Sequence, residues 1–353
     1  AALALSASLP ALAAPELPDG KISIGSSADI LIVSPDGELV TWGPDDLGFM
    51  YLCGIAKDIS YTCNYSNRIT IMDGVKAVYG AQANALVLME DGTLCGLGAD
   101  FNNSFAGQAP RDWFENFGRY NKGSLCPVKI MDDVVMASAG YSDFTALKDD
   151  GSVWMWGRNA DFEYYNPIKI MDGCRYAAGY YYVTYAGDFY TLWDKDTYSL
   201  FKEPQYVCSG VVAAHSVFIH MENGELYDTD EYTAALKNHT DLPKPIACNV
   251  CKLCPGGYIT EDGALYTRLD SGEHVKLLDG GVESAYCVPD MCIAITEDGL
   301  VYASEIGSGY ETLACVGTVE DLAPEYDPPL NPWPLILGVA NKIFELIPLL
   351  AVI

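Results

Sequence analysis

Three cysteines stand at C-x2-C-x2-C spacing in "CNVCKLCP", at Cys248, Cys251 and Cys254. Thiolates so spaced open an iron–sulfur run when a fourth cysteine follows after three more residues. Here "PGGY" follows instead, and a core or disulfide role is the better reading. The four histidines, His215, His220, His239 and His274, make no H-E-x-x-H or comparable pattern, and there is no G-x-S-x-G, P-loop or strand-borne G-x-G-x-x-G. Acidic pairs such as Asp149 and Asp150 sit beside a glycine, where turn duty explains them. "DKDTY" at Asp194 and "DTDEY" at Asp228 lack the alternating carboxylates and glycine of a calcium loop. The sequence therefore names no catalytic residue, metal ligand or cofactor, and it reads as a non-enzyme.

Recognition chemistry is better represented. Tyr51, Arg111, Trp113, Phe114, Phe117, Arg119 and Tyr120 combine the aromatic and arginine character of binding hot spots and form the candidate ligand-binding set. They lie near residues 44 to 68 and 99 to 125. Packing of the same rings onto the fold is the competing reading. Tyr164, Tyr165 and the run Tyr180 to Tyr182 add aromatic surface, part of it core.

These residues are set within a repeated phrase. "IMDG" or "LLDG" recurs about twenty residues before a D-G pair, in "ITIMDGVKAVYGAQANALVLMEDG" from Ile69 and "VKLLDGGVESAYCVPDMCIAITEDG" from Val275. Aligned on the turn glycine, the units carry Gly37, Gly92, Gly151, Gly187, Gly224, Gly263 and Gly299, spaced by 55, 59, 36, 37, 39 and 36 residues. Two residues after each glycine stands an apolar residue, and four before stands another, except His220. A hydrogen-bonded structural histidine is expected there. Trp154, Tyr190, Tyr227, Tyr266 and Tyr302 fill one column after the turn, expected to pack between neighbouring sheets. Each unit reads as a β-hairpin whose glycine supplies positive φ. Seven such units of roughly forty residues predict an all-β, seven-bladed β-propeller built from tandem repeats, over residues 18 to 322. The two long spacings mark insertions of about twenty residues that leave adjacent units after the same kind of strand, and so emerge on one face.

Forty-eight acidic residues against twenty basic ones give a formal charge of −28, a field that repels phosphate backbones and excludes nucleic acid as an expected partner. Residues 1 to 13 resemble the apolar part of a secretory signal ending in Ala11-Leu12-Ala13, and twelve cysteines, among them the close pairs Cys53 with Cys63 and Cys287 with Cys292, suit an exported, disulfide-bearing chain. After an acidic, proline-rich linker, 323 to 332, residues 333 to 353 form an apolar C-terminal helix with Gly338, Asn341, Lys342 and Glu345 on one narrow polar face. It is expected to dock on the ring or contact the membrane or envelope, a full span being the rival.

"AGYSDFTALKDDGSVWMWGRN", "GAQANALVLMEDGTLCGLGADFNN" and "PDMCIAITEDGLVYAS" resemble repeats of the regulator of chromosome condensation family, over about residues 20 to 320. The family pattern is a glycine, an apolar strand, a D-G turn, an aromatic strand ending W-G-x-N, then a P-x-x-I/V segment. The resemblance implies a seven-bladed propeller; the family includes a nuclear nucleotide exchange factor and secreted bacterial binding proteins. Its G-Q-L-G element survives here only as "AGQAP". The expected role is an exported or cell-surface scaffold that binds a protein or glycan through aromatic loops on one face. A glycan-active propeller with scattered carboxylates, or a structural surface protein, are the alternatives.

Overall fold

The seven turn glycines all adopt φ between +77° and +83°, a region that a Cβ disfavours. The residue before the glycine locks the bend: Asp91 accepts from the Thr93 amide (2.9 Å), Asp150 from Ser152 (2.8 Å) and Asn223 from Glu225 (3.1 Å). In the computed structural model, residues 20–319 are described apart from 25–29, 43–68, 81–83, 100–102, 109–122, 141–142, 159–163, 195, 197–198, 216, 270, 289–290 and 305–312. The expected leader at 1 to 13, the linker at 323 to 332 and the C-terminal helix at 333 to 353 lie outside them.

The hairpins build seven antiparallel sheets in chain order, spanning 22–72, 75–131, 134–171, 174–208, 211–247, 250–278 and 282–318. They are the blades of a seven-bladed propeller. In blade three the strands are Val134–Ala139, Asp143–Lys148, Val153–Arg158 and Tyr164–Met171, each paired with the next. Inner strands of successive blades touch around the centre, the first strand of blade six meeting the second of blade five, and the first strand of blade one meets that of blade seven, which closes the ring.

The recurrent phrase now has a structural meaning. The fourth strand carries one extra residue, unpaired in the ladder, at Ile71, Ile130, Ile170, Val207, Leu277 and Val316. A second bulge falls in the first strand of blades two to seven, at Lys76, Val135, Arg175, Val212, Cys251 and Glu283. Bulges increase local twist, which a radial sheet needs. In three blades a lysine and an aspartate pair across the bulge, Lys129 with Asp132 (2.7 Å), Lys169 with Asp172 (2.5 Å) and Lys276 with Asp279 (3.1 Å). The pairs are exposed and add little stability.

Each turn glycine also binds the next blade. The carbonyls of Gly37, Gly92, Gly151, Gly187, Gly224 and Gly263 accept from the amides of Val75, Val134, Cys174, Val211, Val250 and Val282 at 2.9–3.0 Å. The matching residue of blade one, Asp19, lies outside the described residues; across the seam of blades seven and one, Ile22, Ile24, Ile30 and Ile32 pack against Met291, Ile293, Val301 and Ala303.

The residues two beyond each glycine, Leu39, Leu94, Val153, Phe189, Leu226, Leu265 and Val301, are all 0% exposed. His220, the exception in the other column, is buried and its Nε2 donates to Val250 O at 2.8 Å, pinning blade five to blade six. The aromatic column packs both within and between blades. Within a blade its rings pair, Tyr190 with Tyr206 (5.7 Å), Tyr227 with Tyr232 (4.9 Å) and Tyr266 with Tyr258 (5.2 Å), while Tyr190, Tyr266 and Tyr302 also pack against cores shared by adjacent blades.

Blade five has three strands. Helix α1, Thr229–Asn238, stands where the fourth would be, started by Asp228, whose Oδ1 accepts from the amides of Asp230 (2.9 Å) and Glu231 (3.0 Å), and ended by His239 at φ 52°. The "DTDEY" stretch is thus a helix start. The chain returns to the blade at Ile246 and Ala247, which bond Leu226.

Candidate functional site

Two faces follow from the strand order. D-G turns and blade-to-blade bends share one, the turn face; connections after the first and third strands share the other, the loop face. The stretches between Trp42 and Ile69 and between Ala99 and Gly123 both join the third strand to the fourth, in adjacent blades one and two. Both leave on the loop face, as their spacing implied. Tyr51, Arg111, Trp113, Phe114, Phe117, Arg119 and Tyr120 lie outside the described residues.

The near end of the second stretch is part of the ring. Phe105 is fully buried over Gly96, where a Cβ would stand 2.2 Å from its ring. Ser104 O accepts from Trp156 Nε1 (2.9 Å), and Asn103 donates to Tyr165 O (2.8 Å). Residues 103–108 therefore tie blade two to blade three. A glycine inside a strand marks close approach of another group, and Gly96 was the sequence signal for this dock.

On the same face, blades three and four bring together Asp143, Tyr165, Tyr180 and Trp193. Tyr180 stacks on Trp193 (5.6 Å, 16° between planes), and Thr145 Oγ1 holds the bend by donating to Gly179 O (3.0 Å). Burial raises the Tyr180 phenol, and the Asp143 carboxylate, which accepts its hydrogen bond, raises it further. Tyr165 is pushed up to about 12 by burial and then by Asp143. Both hydroxyls stay protonated and can donate. Tyr181 stacks on Phe189, while Tyr182 is core. The cluster offers aromatic walls, phenol donors and one carboxylate, the chemistry of a polar-aromatic contact surface.

At the centre, the loop-face ends of the seven inner strands border an open space of about 320 Å³, with described wall residues from every blade. His215 borders this space. Its Nδ1 accepts from Val217 N (3.1 Å), its carbonyl accepts from Thr229 Oγ1 (2.8 Å), and burial lowers its pKa to about 4. Nearby, Phe218 is edge-on to His215 (5.5 Å) and Tyr258 (5.7 Å), and His274 lies 5.7 Å from Phe218. Arg268 bridges blade six to Asp228 of blade five at 3.0 Å.

No histidine ring nitrogen meets a serine, threonine or cysteine hydrogen among the described residues. Within the same residues no group of three His, Cys, Asp or Glu stands close enough to hold a metal. Cys248 and Cys251 are exposed and Cys254 is buried; Cys251 occupies the bulge, its thiol directed to the carbonyls of Ile259 and Thr260 at 3.4 Å, and so is not a core residue. Cys287 and Cys292 are disulfide-bonded, as their spacing allowed.

No protein-family model matches this sequence, and none of the curated proteins does. Solved structures do. The crystal structure of Kap60 bound to yeast RCC1 (Prp20) matches with a TM-score of 0.56 at 15% identity, over 79% of this chain and 81% of that one. Prp20p from Saccharomyces cerevisiae matches at 14% identity over 82% and 75% with a TM-score of 0.45, and human WBSCR16 at 16% over 86% and 83% with 0.41. The likeness to yeast RCC1 is one of fold: a ring of seven blades.

Proposed function

We propose that this propeller is an exported, non-enzymatic binding scaffold that takes a protein ligand on its loop face. The observation that carries the reading is the cluster of Tyr165, Tyr180, Trp193 and Asp143. It faces the side from which the stretches bearing Tyr51, Arg111, Trp113, Phe114, Phe117, Arg119 and Tyr120 depart. Rings and guanidinium groups of this kind dominate binding energy where they are desolvated. The yeast RCC1 propeller is bound by a protein, Kap60. A glycan would use the same stacked rings and is the alternative ligand. The Cys287–Cys292 disulfide suits an oxidising compartment.

The test is affinity capture from envelope extracts together with a glycan array, using residues 15 to 325. Two variants accompany it: deletion of residues 109 to 122, and Tyr180→Ala with Trp193→Ala. Residues 103–108 must be kept, since Phe105 and Ser104 belong to the ring. A ligand bound by the parent and lost by both variants, with a cooperative melt retained, is the expected result. A ligand held equally by all three proteins would overturn the loop-face assignment.

A further inference from the structure

All four histidines of the chain fall between residues 215 and 274, in blades five and six. Three of them meet where those blades join. His215 is edge-on to Phe218 (5.5 Å), and His274, from the fourth strand of blade six, lies 5.7 Å from the same Phe218 and 5.9 Å from Tyr258. His220, buried in the second strand of blade five, bonds Val250 O of blade six at 2.8 Å.

The joint has no place ready for an added proton. Nδ1 of His215 accepts from Val217 N, so a proton there must displace that bond, and its Nε2 is buried with no partner among the described residues. Nδ1 of His274 is likewise buried without one. Counter-charge is scarce too. The titratable groups that border the central space beside His215 are Tyr79, Tyr176, Tyr286, Cys254 and Lys252, with no carboxylate among them. His220 sits between Ala213 and Leu226 in its sheet and against Val250, none of which titrates. His274 pairs with Arg268 across its sheet, and the carboxylate that acts on it is Asp228. Both oxygens of Asp228 are committed, Oδ2 to Arg268 (3.0 Å) in the ion pair between the blades and Oδ1 to the first amides of α1. A charged His274 would repel Arg268 and compete with it for Asp228.

We propose that the joint between blades five and six is an acid-sensitive hinge, closed while its three imidazoles are neutral and loosened when they take protons. Burial holds all three below the ordinary histidine range, His215 at about 4. The opened joint therefore binds more protons, so closure is fully supported above about pH 6.5 and weakens as pH falls. Acid also relieves the self-repulsion of a chain at −28, so the joint has to be followed locally rather than through Tm. The hinge is independent of the loop-face cluster and is tested without a ligand.

Hydrogen exchange of the full chain is read by mass spectrometry at about pH 7 and about pH 5, corrected for the intrinsic pH dependence of exchange. Peptides 211–228 and 250–260 are compared with 75–99 and 134–148, their counterparts at the histidine-free joint of blades two and three. Protection at the first joint should fall about twentyfold from His215 alone, while the second holds. His215→Phe with His274→Phe keeps the ring packing and removes the protonation, and should keep the joint closed in acid. Should that variant fail to fold, proton–carbon NMR of the parent imidazoles decides, with His215 and His274 expected to stay neutral below about pH 6.5. Unchanged protection at the lower pH, equal loss at both joints, a loss that survives the double substitution, or rings that titrate at the ordinary value with the joint closed would each overturn the hinge.

Discussion

At Gly256 the turn of blade six comes so close to blade seven that a Cβ would stand 1.9 Å from Cys287 O, and φ is +74° besides. At Gly299 φ is +79° and no described residue lies within 4 Å. The second site isolates backbone strain and the first adds a steric clash. Gly299→Ala should therefore cost about 1 kcal/mol, and Gly256→Ala about 3 kcal/mol or more, since overpacking against a carbonyl has no soft escape; urea midpoints measure both. His215 gives a second residue-level expectation. Its folded pKa is near 4 against about 6.5 when unfolded. Between those values the unfolded chain binds more protons, so this contribution is complete above pH 6.5 and is lost as pH falls toward 4. The stability of the parent minus that of His215→Phe should shrink across that window; a constant difference would show that His215 is not the titrating group. Residues were legible in proportion to how local their task is. The turn glycines announce themselves because positive φ selects them one by one. Cys251 was misplaced because the bulge at that position shifts the inward alternation by one residue, which no period in the sequence reveals.

At the scale of elements, the D-G hairpin does more than reverse the chain. Six of its seven carbonyls receive the first amide of the following blade, and the amide that would match for Gly299, that of Asp19, lies outside the described residues. Backbone hydrogen bonds shared between blades should slow local opening relative to side-chain packing alone. Hydrogen exchange should accordingly be slow at Val75, Val134, Cys174, Val211, Val250 and Val282. Exchange at these six amides as fast as at the exposed ends of the blades would refute the shared bonds as a brake on opening. The hairpins and their number were readable from alternation and spacing. Helix α1 was not, because the repeat register continues through Leu226 and only then does Asp228, with Asp230, Glu231 and Lys237 placed for the dipole, divert the chain. The central cavity was invisible for a different reason: each blade supplies it with residues some forty positions apart, and no local pattern marks them.

For the molecule as a whole, the surplus of acidic residues sets the balance between solubility and self-repulsion. With a formal charge of −28, the folded ring concentrates repulsion that the expanded chain relaxes. Raising NaCl from about 0.02 M to about 0.5 M shortens the Debye length from about 20 Å to about 4 Å and should raise Tm by about a few degrees, a scan that calorimetry can make; a Tm that falls would mean that attractive pairs dominate. The candidate recognition face was legible only as composition, since the residues that carry it lie outside the described part of the ring, and the neighbouring Tyr180, Trp193 and Asp143 come from three separate strands or turns. The apolar seam has one more consequence. Each blade is completed by consecutive strands and offers its turn carbonyl to the next, so a chain made from its N-terminus can add blades in order, each a template for its successor. The wall of Ile22, Ile24, Ile30 and Ile32 is then the first surface made and the last covered, because its cover, Met291 to Ala303, is among the final strands to emerge. During synthesis the nascent ring carries an open, sticky edge for nearly its whole length, and whatever escorts the chain must shield that edge until the seventh blade arrives.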